Sequence, residues 1–165
     1  MSIKKITLTS LGLVGVFGLL VCCSLALAAE TTRSEYVAAV EPICEANTKA
    51  NERILHNVKR EVVQDRLKPA AAALAKASRA LEATYAQLRA IPEPATDTTT
   101  LAKWLGEVKH GAGLFAETAR ALNVGNKAKA SKDESKLTRN AVLANDTVLF
   151  FEFHYCHFEP SRFIG

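Results

Sequence analysis

The side chains that could carry chemistry are few: four histidines, four cysteines and one methionine in 165 residues. Glu107-Val108-Lys109-His110 has the Glu-x-x-His spacing used by di-iron carboxylate bundles. No second copy of that motif occurs. At about 100° per residue, His110 also falls opposite Leu101, the centre of the local apolar stripe, so the pair belongs on a solvated face. His154 and His157, three residues apart and flanking Cys156, would attract zinc or copper if the thiolate joined them. Such spacing is weak by itself, and Cys156 has a better use, so no metal site is expected. His56 stands beside an apolar stripe as a boundary residue. Haem attachment would need Cys-x-x-Cys-His, which is absent, and the only methionine is Met1, so no cofactor is expected. There is no nucleophile elbow, phosphate-binding glycine loop or zinc-protease histidine pair, and the expectation is a non-enzyme.

The better use of Cys156 is a disulfide with Cys44, and the compartment argues for it. Lys4 and Lys5 precede an uncharged stretch, Ile6 to Ala29, that ends in the small residues Ala26-Leu27-Ala28-Ala29. That order predicts a secretory signal removed near Ala28 or Ala29. The run is also long enough to span a bilayer, about 20 residues, as an uncleaved anchor with the lysines on the cytoplasmic side. Lipidation at Cys22 or Cys23 is disfavoured, because no small residue stands before Cys23 and apolar sequence continues through Leu27. An exported chain with two remaining cysteines is expected to pair them. Periplasmic or secreted localisation follows, with membrane attachment only through residues 6–29 as the alternative.

Composition describes what these residues sit on. Without Lys4 and Lys5 the formal net charge falls from +4 to +2, which offers no electrostatic reason to bind nucleic acid or an anionic membrane. Residues 30–165 suffice for one domain.

Periodicity predicts four helices in that domain. The first carries Tyr36, Val40, Ile43, Asn47, Asn51, Ile54, Leu55, Val58 and Val62 at spacings of three and four, with Ser34 as N-cap and a kink or restart at Pro42. The second has Leu67, Leu74, Leu81 and Leu88 at sevens, with Pro69 in its first turn and Pro92 and Pro94 beyond its end. The third is capped within Thr96-Asp97-Thr98-Thr99, buries Leu101, Trp104, Leu105, Val108, Ala112, Phe115, Ala119 and Leu122, and stops at Gly125. The fourth opens on a Ser131/Glu134 capping box, shows Leu137, Ala141, Ala144, Val148, Phe151 and Tyr155 on one face, and runs to Pro160. Short links favour an all-α, antiparallel up-down-up-down four-helix bundle behind the N-terminal signal or anchor segment. First and last helices then lie side by side, and Cys44 meets Cys156.

Two anomalies remain. Asn47 and Asn51 replace apolar residues on the first stripe, and Asn145 lies near the last, so the three amides are expected to form one buried group. Cross-helix hydrogen bonds that fix register are favoured there over a small polar ligand pocket. Asn145-Asp146-Thr147 matches a glycosylation sequon, but its mid-helix place argues against modification. Phe150, Phe151, Phe153, Tyr155 and Phe158 are too many aromatics for one stripe. Folding back of Phe158, Phe163 and Ile164 over the bundle end, with Arg162 wet, is favoured over an exposed interaction patch of Phe150, Phe153 and Phe158.

In a general way the alanine-rich chain resembles small exported helical proteins of bacteria, which implies neither an activity nor a site. The expected role is a non-catalytic protein of the envelope or extracellular space that binds a protein partner or a second copy of itself. The alternative is a bundle that binds a small ligand through the asparagines or a metal through His154 and His157.

Overall fold

The computed structural model describes residues 30–160; the leader, Cys22, Cys23, Arg162, Phe163 and Ile164 lie outside the described residues. Among those described there is no strand, and the order is α1 (Arg33–Leu55), α2 (Val58–Val63), α3 (Leu67–Leu88), α4 (Thr98–Asn123), α5 (Lys127–Thr147) and a 3₁₀ turn (Leu149–Phe151). Four long helices carry the fold. α3 packs on α4, α4 on α5, and both α1 and α2 on α3.

Helix ends follow local chemistry. At α1 the cap is Thr32, not Ser34, because Thr32 and Glu35 complete a capping box: Thr32 Oγ1 accepts from the Glu35 amide at 3.2 Å, and the Glu35 carboxylate accepts from the Thr32 amide at 2.8 Å. Pro42 does not interrupt α1. It lies on the exposed side, as does Ala38, whose carbonyl loses its helical donor and can be met by water. The expected single run through Val62 does break, after Leu55, where His56 Nδ1 lies 2.9 Å from the Arg53 carbonyl. The break turns α2 onto α3 and buries Val58.

The link from α4 to α5 corrects another expectation. Gly125 takes φ 75°, its amide donates to Leu122 at 2.9 Å, and the Asn126 amide donates to Ala121 at 2.8 Å, which is a Schellman closure. Asn126 Oδ1 then accepts from the Lys129 amide at 2.9 Å. One dipeptide therefore ends α4 and caps α5, so the lysine-rich connector becomes the first turn and the Ser131/Glu134 box is displaced.

α5 also stops early, at Thr147. Phe151 and Phe153 are both buried, which one helix face cannot arrange for residues about 200° apart. After the 3₁₀ turn, Glu152 adopts φ 53° and releases an irregular tail, in which Phe151, Phe153, Cys156 and Pro160 are buried while Glu152, His154, His157 and Glu159 face water. Cys44 and Cys156 are bonded, with Cα atoms 5.0 Å apart. The bridge thus joins α1 to the tail and not to a fourth helix.

Polar side chains pin the long helices together. Ser78 Oγ of α3 donates to the Ala112 carbonyl of α4 at 2.8 Å, and Asn140 Nδ2 of α5 donates to the Glu107 carbonyl of α4 at 2.9 Å. α4 and α5 approach closely at Gly111, where a Cβ would stand 3.2 Å from Asn140 Nδ2. Arg33 of α1 grips Asp97 at the α4 N-terminus through two nitrogens, at 3.0 and 2.6 Å. Asp133 is fully buried on α5, with Lys129 Nζ at 2.6 Å and Lys136 Nζ at 2.9 Å. The Lys129 hydrogen bond, opposed by burial and aided by Lys136, holds the Asp133 carboxyl below the usual aspartate range.

Two predictions follow from these ties. Replacing both cysteines, Cys44→Ser with Cys156→Ser, should lower unfolding stability in urea by about 2–5 kcal/mol, since the bridge closes a long loop. The Asp133 carboxylate favours the folded state above its unfolded pKa, near 3.8, and that contribution fades as pH falls through the lower folded value. Asp133→Asn should therefore flatten the loss of thermal stability that the native protein shows on acidification below about pH 4.

Candidate functional site

The tail lies along α1 and α5 and is held by both. Glu41 of α1 accepts two consecutive tail amides, from His154 at 2.5 Å and Tyr155 at 2.9 Å. Two turns on, Thr48 Oγ1 donates to the Tyr155 carbonyl at 3.4 Å, with the Cys44–Cys156 bond between these contacts. From α5, Asn145 meets the backbone of Phe158 twice: Nδ2 donates to its carbonyl at 3.0 Å, and Oδ1 accepts from its amide at 2.9 Å. Aromatic rings seat the tail from within. Phe153 stacks on Trp104 and on Phe151, both at 5.3 Å between centroids, and Phe158 meets Phe115 edge-on at 6.0 Å.

This arrangement places each predicted site residue. The three asparagines do not form one group. Asn51 Nδ2 donates to Asn47 Oδ1 at 3.4 Å on α1, while Asn145 is committed to Phe158, because an amide beside an extended chain can satisfy both backbone groups of one residue. Asn51 Oδ1 is buried without a hydrogen bond and lies beside a cavity of about 50 Å³ bounded by Asn47, Phe158 and Pro160. A second cavity, about 30 Å³, lies between the bridge, Trp104, Asn140 and Phe158. Spaces of this size suit one or two water molecules, not an organic ligand. His154 is exposed, with its ring 4.4 Å from that of Tyr155, and His157 is exposed beside the asparagine cavity. Among the described residues no three His, Cys, Asp or Glu side chains gather as a metal site. His110 and Glu107 lie 3.9 Å apart, with His110 exposed.

Comparison with protein-family models, curated proteins and solved structures returns no match. Function must therefore be read from the surface itself.

The exposed aromatic patch of Phe150, Phe153 and Phe158, the less favoured alternative, does not form, since Phe153 is buried and Phe158 is packed against the core around Phe115. The tail turns those two rings inward by leaving the helix. Phe150 stays out at 81% exposure, joined by Leu149 at 60%, Leu143 at 53% and Val142 at 52%. Val142 and Leu143 stand on the outer side of α5, exposed Asp146 follows one turn on, and Leu149 and Phe150 continue past it on the 3₁₀ turn. That side lies opposite buried Leu137, Asn140, Ala141 and Ala144. The sequence reading missed Val142 and Leu143, although apolar residues off the core stripe were the signal that could have found them. Glu41 gave no such signal, because its partners lie more than a hundred residues away.

The tail contacts make a sharp prediction. Glu41→Gln should speed exchange of the His154 and Tyr155 amide protons at least about ten-fold, and Asn145→Ala should cost about 1–3 kcal/mol by leaving Phe158 unpaired. Hydrogen exchange with mass spectrometry reads the first and urea unfolding the second.

Proposed function

We propose that this is an exported, non-catalytic helical protein that holds another protein against the apolar face formed by Val142, Leu143, Leu149 and Phe150. Phe150 carries the proposal: a ring 81% exposed just beyond the end of α5, while its neighbours Phe151 and Phe153 are buried, has no structural task in the folded chain. Exposed Phe, Leu and Val side chains interspersed with exposed Arg139, Asp146 and Glu152 give a face that mixes apolar contact with charge, as protein contacts do.

Export belongs to the same proposal. The Lys4-Lys5 leader and the Cys44–Cys156 bridge support a periplasmic or secreted destination, with residues 1–29 removed or kept as an anchor. Among the described residues no helix is long and apolar enough to cross a membrane. An up-down course of the long helices, which short links favour, completes the picture.

The test is site-directed photocrosslinking in exporting cells. A benzophenone side chain at Leu149 or Phe150 should give a discrete adduct of defined mass that the same group at Lys103 or Glu82, far along other helices, does not give. Phe150→Ser should abolish the adduct formed from position 149 and change unfolding stability by no more than about 0.5 kcal/mol. Adducts at all four positions alike, or at none, would overturn the assignment.

A further inference from the structure

A second opening lies at the other end of the core, where α2, α3, α4 and α5 meet. Val58 and Val62 of α2, Leu74 of α3, Leu122 of α4 and Ala130 of α5 surround a cleft of about 270 Å³. Its floor is the core itself, since Val58, Leu74, Leu122 and Ala130 are all buried. Thr118 is spent on its own helix, donating to the Leu114 carbonyl at 2.9 Å. Lys127, at the rim, is tied to Asp65 at 2.5 Å, a contact that also clamps the α2–α3 turn to the start of α5.

Glu134 is the exception. It is half-buried at the wall of the cleft and makes no hydrogen bond or ion pair among the described residues. We infer that this cleft binds a small molecule with an apolar body and an amine head, the body resting on Val58, Leu74 and Leu122 and the ammonium pairing with the Glu134 carboxylate. The volume lies just below the usual range of ligand pockets, about 300–1,000 Å³, which limits the body to a short chain or a single ring. Burial pushes the Glu134 carboxyl up, and Lys59 of α2, acting from beyond ion-pair distance, only partly offsets this, so a partly desolvated carboxylate keeps no direct ion pair. An incoming ammonium supplies one, whereas an alcohol or a carboxylate of the same body does not. The break between α1 and α2 is what forms the roof: a helix continuing straight through His56 would not bring Val62 over Leu74.

Hexylamine, hexanol and hexanoate are the probes, titrated into the full-length mature protein and followed by amide chemical shifts. Hexylamine should saturate, shift the amides around residues 58–62, 74, 122 and 130–134, and bind about ten-fold more tightly than hexanol. Glu134→Gln should erase that preference while leaving hexanol binding unchanged. Val62→Phe, which fills the cleft from its roof, should abolish binding of both, with circular dichroism showing the fold retained; Ala130→Leu fills it from α5 should the first variant unfold. Equal binding of amine and alcohol, shifts scattered over the surface, or affinity unmoved by Glu134→Gln would overturn the inference.

Discussion

Everything at one end of this molecule depends on the chain between Glu152 and Pro160 being irregular instead of helical. Three of the contacts between long helices are made directly, α1 on α3, α3 on α4 and α4 on α5. The remaining seam, between α1 and α5, is filled by tail. A covalent bond to Cys44, a carboxylate clamp from Glu41 and an amide clamp from Asn145 hold it there. Irregular backbone in such a place must find partners for its amides and carbonyls, since it has no ladder or helix of its own. Glu41, Thr48 and Asn145 supply them. Phe153 and Phe158 then complete two neighbouring regions of core, one around Trp104 and one around Phe115.

The interior contains more polar chemistry than a minimal bundle needs. Ser78 and Asn140 both donate to carbonyls of α4 from opposite sides, and both act where the helices come close. Such bonds add little net stability, but a sliding helix would leave a buried donor unpaired, so they select one register. Asp133 works by the same logic with charge. Lysines one turn before and one turn after it fold over a carboxylate that would otherwise be buried without a partner.

How much of this was legible depends on whether a feature is set locally. α3 was read to its boundaries, since a heptad of leucines between Pro69 and Pro92 admits one interpretation, and Gly125 marked the end of α4. The Cys44–Cys156 pairing was legible from compartment and count, although the geometry expected to produce it was not the one adopted. What failed were competitions between nearby signals. Thr32 displaced Ser34, Asn126 displaced Ser131, and a helix that could have run to Pro160 gave way because two rings needed the same interior. The asparagine group failed for a related reason: its predicted place assumed that α5 reached level with Cys44, and the tail took Asn145 instead. Glu134 was read as a cap and is instead a lone carboxylate at a cleft, which no short-range pattern announces.

The bridge spans 112 residues, and that distance has a consequence for the order of assembly. A chain delivered from its N-terminus presents the thiol of α1 long before its mate exists. Until Phe153 and Cys156 are made, Val40 and Trp104 lack the side chains that pack on them from the tail. The tail contacts and the bridge are thus the last that the growing chain can make, and joining the two thiols requires an oxidant that takes up two electrons.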